Sequence, residues 1–202
     1  QGRLYVADIA RNRVLRFAPT GQFELAFGAA DAQREGHYDP RVFMQPTRLA
    51  CWRDAQGIER LFVVEAGGPS RISEWSTDGK LLRDWHGLLT HAGNSGFTAD
   101  PASPAHLYIC GQNDTLLRYH VDYATGKWDL KAVWHGVPGS SFPRIIHRAG
   151  RTYLTFNRTG EKNLPMIYRF ADDRVLVSAG VVREEQPGRE ARYVCWHDAN
   201  GD

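Results

Sequence analysis

The sequence predicts an all-β chain assembled from repeated four-stranded units, and three observations carry that prediction. Self-similar segments recur along the 202 residues. Short apolar or alternating runs rich in Val, Ile, Leu, Tyr, Phe and Trp are parted by Gly-, Pro- and Asp-bearing turns. No stretch combines a helical period with caps, and residues 29–45 read as a polar loop or short helical turn.

The first copy is "LYVADIARNRVLRFAPTGQFELAFG" (4–28): an apolar strand, an acid, a polar loop, then Arg-Val opening a second strand. A turn at Pro19-Thr20-Gly21, a third strand and an aromatic-Gly close complete it. The second copy, "LFVVEAGGPSRISEWSTDGKLLRDWHG" (61–87), repeats the order, with Arg-Ile opening its second strand and Thr77-Asp78-Gly79 at the turn. The third (107–136) turns at Thr125-Gly126 and ends on the same Trp-His-Gly. The fourth (152–180) is degenerate, with Asp172-Asp173 at its turn. An additional strand pattern precedes copies two to four, at 46–54, 95–104 and 143–150. A unit of about four short strands over roughly 45 residues is the blade of a β-propeller. Such a blade cannot bury both faces alone, so neighbours must stack.

The expected blades are 1–28, 46–87, 95–136 and 143–184, within a propeller section spanning 1–190. Residues 191–202 read as the start of a further strand and a short Asp/Asn/Gly loop. The first copy lacks its innermost strand. Three full units and one of three strands fall short of a ring, so the expectation is an incomplete, open propeller belonging to a longer protein.

Composition narrows the function classes. The charge balance of 25 basic against 23 acidic residues is mixed along the chain, which argues against a nucleic-acid or anionic-membrane footprint. No apolar run reaches the ~18 residues that span a bilayer. The chain begins at Gln1 without an initiator Met, so a removed signal peptide cannot be read from it; localisation stays open, with an extracytoplasmic or secreted setting as one option. Cys51, Cys110 and Cys195 form no C-x-x-C pair; they read as buried thiols on strands, with one disulfide plus a free thiol as the alternative. There is no G-x-S-x-G elbow, phosphate-binding loop or zinc-type His spacing. His86 and His135 recur at equivalent Trp-His-Gly positions and read as repeat features, while His120 and His147 lie in strand patterns, packed or half-exposed.

The opening "LYVAD…N-R-V…F…G" resembles the NHL repeat of six-bladed and related propellers, closely over 4–28 and more loosely over 61–87. In NHL-like repeats the acid and the following Asn brace the connection between strands. That resemblance implies a structural role for Asp8. Propeller lactonases and lyases instead gather channel-end carboxylates and amides round a metal, and some NHL-type propellers bind RNA on a basic face.

Alignment of the copies puts Asp8, Glu65, Asn113 and Asn157 just after the same strand in each blade. Oxygen ligands of this kind suit Ca²⁺, so these four are the channel-end candidates. Against that reading, Asp and Asn at such positions accept backbone N–H bonds in turns. A second cation candidate is "DANGD", where Asp198, Asn200 and Asp202 occupy alternate positions of a truncated calcium loop. Arg144, Arg148, Arg151, Arg158 and Arg169 crowd the fourth copy, but Glu161, Asp172 and Asp173 lie among them, which suits a solvated face better than an RNA surface. The leading functional expectation is a non-catalytic binding or scaffold module for a protein, peptide or glycan. A cation-dependent lyase or lactonase is the alternative, and RNA binding the third.

Overall fold

A computed structural model describes residues 2–28, 34–53, 55–87, 96–111, 114–137, 143–156, 166–172, 176–184 and 193–197. The chain is all-β, built of four antiparallel blade-type sheets in sequence order, none closed on itself. It divides into two compact units, residues 1–33 with 39–89 and residues 34–38 with 90–202.

The first unit holds two sheets. One is the three-stranded meander β1 (Leu4–Asp8), β2 (Arg13–Phe17) and β3 (Phe23–Phe27). The other is the four-stranded meander β4 (Pro46–Arg53), β5 (Glu59–Glu65), β6 (Arg71–Ser76) and β7 (Leu81–His86). Alternation decides their faces. On β5, Leu61, Val63 and Glu65 are buried while Phe62 and Val64 are only half-buried. The buried set joins Val14, Phe27, Phe43 and Trp75 in one core. Fully burying each large apolar side chain contributes about 1.5–3 kcal/mol. Gly79, at φ +85°, closes the β6–β7 turn and lies against Phe27; an added Cβ would come within 2.7 Å of that side chain.

The sequence did not signal the single turn of 3₁₀ helix at Ile9–Arg11. Asp8 caps its start, and Asn12 ends it in the left-handed region at φ 48°, a conformation Asn tolerates. Cys51 departs from expectation as well. It is exposed, because β4 is an edge strand of its sheet and Cys51 stands outside the core. Cys110 is buried as expected. Cys195 lies on the last strand.

The second unit also holds two sheets. The first comprises β8 (Phe97–Asp100), β9 (Ser103–Gly111), β10 (Thr115–Asp122) and β11 (Lys127–His135). The second comprises β12 (Pro143–Arg148), β13 (Arg151–Phe156), β14 (Met166–Phe170), β15 (Leu176–Glu184) and β16 (Tyr193–His197). The strand that the tail sequence begins therefore pairs with β15 and makes this sheet five-stranded. Tyr108, Leu116, Trp134, Ile145, Leu154 and Phe156 form the centre of its core. Residues 34–38 lie along β11 as an edge cover. The Gly36 and Tyr38 amides donate to the Val133 and Lys131 carbonyls, and Glu35 holds both the His135 amide and ring.

Candidate functional site

Asp8 ends β1 and Arg13 begins β2, and antiparallel register makes them direct partners. Arg13 Nε donates to Asp8 Oδ2 at 2.9 Å, and the Arg11 amide and guanidinium donate to the same carboxylate at 3.3 and 3.5 Å. The Arg13 hydrogen bond holds the Asp8 carboxyl below its ordinary range, outweighing the desolvation that pushes it up, with the Arg13 and Arg11 charges adding to the fall. All of these bonds lie within one sheet. Asn12 acts across the unit, where its Oδ1 accepts from the Gln45 amide at 2.8 Å.

The second sheet repeats the arrangement in a buried form. Glu65 ends β5, Arg71 begins β6, and they too are register partners. Arg71 Nε and its terminal nitrogen approach Glu65 Oε1 at 2.8 and 2.7 Å, with the two side chains only 2% and 1% exposed. Ser73 Oγ donates to the same oxygen at 3.2 Å, and Trp75 Nε1 donates to Ser73 Oγ at 2.8 Å. Glu65 Oε2 accepts from the Met44 amide at 2.7 Å. Arg71 also reaches Asp84 Oδ2 at 3.2 Å and the Pro40 and Val42 carbonyls at 2.6 and 3.4 Å.

Burial pushes the Glu65 carboxyl upward, against the opposing pull of Arg71, the Met44 amide and Ser73. Burial likewise lowers His86, the β7 partner of Arg71; the Arg71 charge adds to this and Asp84 opposes it. Chemically, Glu65 and Arg71 clamp the 40–45 connection, and the Glu65 oxygens are spent on N–H and O–H donors.

The four channel-end candidates thus divide. Asp8 and Glu65 sit at equivalent places in their blades, each tied to the Arg that opens the next strand. Asn113 and Asn157 lie outside the described residues, as do Asp198, Asn200 and Asp202. Among the described residues no group of three or more His, Cys, Asp or Glu is placed to hold a metal ion. The Arg71 partner was legible in principle, since Arg-Val and Arg-Ile open the second strand of both copies. Of the fourth-copy arginines, Arg158 lies outside the described residues, with Glu161 and Asp173.

Sequence spacing gave no hint of two further features. An open groove of about 610 Å³ runs along the first unit, floored by Leu25, Phe27, Trp75 and Leu81 and rimmed by Arg41, Asp78 and Lys80. In the second unit Asp100 (β8), His147 (β12) and Thr152 (β13) form a chain. His147 Nε2 lies 2.6 Å from Asp100 Oδ1, and its Nδ1 lies 3.1 Å from Thr152 Oγ1. Burial raises Asp100, but the His147 bond and the Ala102 and Ser103 amides outweigh it and leave the carboxyl below its ordinary range.

No protein-family model matches the sequence, and no curated protein matches it. Among solved structures it is similar to a protein from Lactobacillus plantarum at 14% identity, with 90% of this chain and 54% of the other covered and a TM-score of 0.31. A protein of unknown function from Bacteroides caccae matches at 10% identity, with 90% and 56% covered and a TM-score of 0.30. A "putative 6-phosphogluconolactonase" from Bacteroides fragilis matches at 15% identity, with 87% and 52% covered and a TM-score of 0.30. The chain spans about half the length of these structures.

Proposed function

We propose that this chain is a non-catalytic binding or scaffold section of an NHL-like propeller, taking a protein, peptide or glycan segment in the groove of its first unit. The groove carries the reading. Its volume falls within the ~300–1,000 Å³ of small-ligand sites, and it has the usual composition of an apolar, aromatic floor under a few convergent polar groups. Asp78 and Lys80 supply charges of both signs at the rim, suited to backbone amides, carboxylates or hydroxyls, while the Arg41 guanidinium beside them is paired with Asp39 at 2.7 Å. The state of the acids supports the same reading. A cation at Asp8 would have to displace Arg13, and one at Glu65 would have to enter a pair with Arg71 that is almost fully buried.

The test is a screen of the chain against peptide and glycan arrays, repeated in EDTA. Binding is expected to survive chelation. It should weaken at least about tenfold in Lys80→Glu, with no fall in thermal midpoint, because Lys80 is exposed and not part of the core. Ca²⁺-dependent lactone hydrolysis or elimination that is lost in both Asp8→Asn and Glu65→Gln would overturn the proposal in favour of the enzyme.

A further inference from the structure

Consecutive residues of β3 line the groove: Leu25, Ala26 and Phe27, followed by Gly28. Side chains on a strand alternate between its two faces, so a cavity lying over one face would touch every second residue. A lining of consecutive residues runs along the edge of the strand and faces its backbone. β3 is the last strand of its sheet and pairs only with β2. In an antiparallel ladder alternate residues turn both N–H and C=O toward the partner, and the residues between them turn theirs outward. Among the described residues, no backbone hydrogen bond joins 23–27 to a segment other than β2. The groove therefore sets a row of main-chain donors and acceptors beside an apolar floor.

The chain itself shows what such an edge takes. β11 ends its own sheet as β3 does, and a short peptide segment is seated on it. The Gly36 and Tyr38 amides, two residues apart, donate to the Val133 and Lys131 carbonyls, also two residues apart. The periodicity of β3 selects the same kind of occupant. Its outward groups repeat about every 6.8 Å, twice the rise per residue of an antiparallel strand, and an extended peptide repeats its own donors and acceptors at that spacing. A glycan has no such regular alternation of N–H and C=O. The two-residue period also carries every second side chain of the peptide toward Leu25, Phe27, Trp75 and Leu81.

We propose that the groove takes an extended peptide of a protein partner, which adds to the free edge of β3 as a fourth strand and lays alternate apolar side chains on the floor. This rests on the binding function above and chooses the peptide among its ligands.

A library of acetylated, amidated octapeptides with Val, Ile or Phe at every second position tests it. Each peptide is made plain, N-methylated at the even positions, and N-methylated at the odd positions. Plain members should bind. Methylation in one frame should weaken binding at least about tenfold and in the other less than about twofold, because an added strand bonds through alternate amides. Amide exchange at alternate β3 residues should slow at least about tenfold at saturation, with β1 unchanged. Peptide binding that responds equally to both frames, yet still weakens in Lys80→Glu, would overturn strand addition and leave the groove reading standing. Binding of glycans alone would do the same. Binding of neither class would remove the groove reading and this proposal with it. Dimers that protect β3 without any peptide would give the edge to a second copy and also overturn the proposal.

Discussion

Replacing Arg71 by Met tests the buried pair that clamps the first unit. Met keeps a stem of similar reach and deletes the guanidinium. Glu65, only 1% exposed, is left facing Ser73 and the Met44 amide, and the Pro40 and Val42 carbonyls lose a donor. Removing one partner of a buried pair costs about 3–5 kcal/mol, because the other charge stays buried without compensation. Each orphaned carbonyl adds up to about 1 kcal/mol. With a urea dependence of about 2 kcal/mol per molar, a loss of roughly 4 kcal/mol moves the midpoint down by about 2 M. Tryptophan fluorescence reports on the region directly, since Trp75 is hydrogen-bonded into the same network.

Two further measurements separate this mechanism from a simple packing defect. The double variant Arg71→Met/Glu65→Gln should regain most of the loss, because it removes the orphaned charge while the amide oxygen still accepts from Met44. The pH dependence has a definite sign. Burial already holds the Glu65 carboxyl above its ordinary 4.5, and losing Arg71 raises it further. A carboxyl raised in the folded state stabilises the fold below its unfolded value and loses that contribution as pH rises through the folded value. The Arg71→Met deficit should therefore shrink as pH falls from neutrality toward 4.5. A single-variant loss under about 1 kcal/mol, or a double variant no better than the single, would refute the reasoning.

The remaining predictions concern other groups. Asp8→Asn should melt close to the unaltered chain and Asp8→Ala lower, with Ca²⁺ changing neither midpoint; a Ca²⁺-dependent shift that disappears in Asp8→Ala would make Asp8 a ligand. Tyr5, held up to about 12 by burial and by Glu59, should ionise in ultraviolet titration well above its ordinary 10.0, and Glu59→Gln should bring it down. An unchanged titration in Glu59→Gln would leave Glu59 without influence. Asp100 is depressed below 3.8, so its contribution is complete above that value and is lost as pH falls through the folded value; Asp100→Asn should flatten the acid limb of the stability profile, and an identical limb would count against the His147 link.

Local pattern alone settled the class of fold. Period-two alternation, Gly at turns and recurrence of the unit determine strands and meanders, because each depends on residues only a few positions apart. The copies also carried half of the acid–arginine motif in plain view. An acid ending one strand and Arg opening the next must face each other once the two strands pair antiparallel. What the string of residues could not reveal is that the same motif is solvated in one blade and sealed in the next. Asp8–Arg13 stands partly in water, whereas Glu65–Arg71 is enclosed by the 40–45 connection and Trp75. Burial is set by what packs above a residue, often tens of positions away. The groove floored by Phe27 and Trp75 and the Asp100–His147–Thr152 chain depend in the same way on which strands become neighbours, and only the tertiary structure decides that.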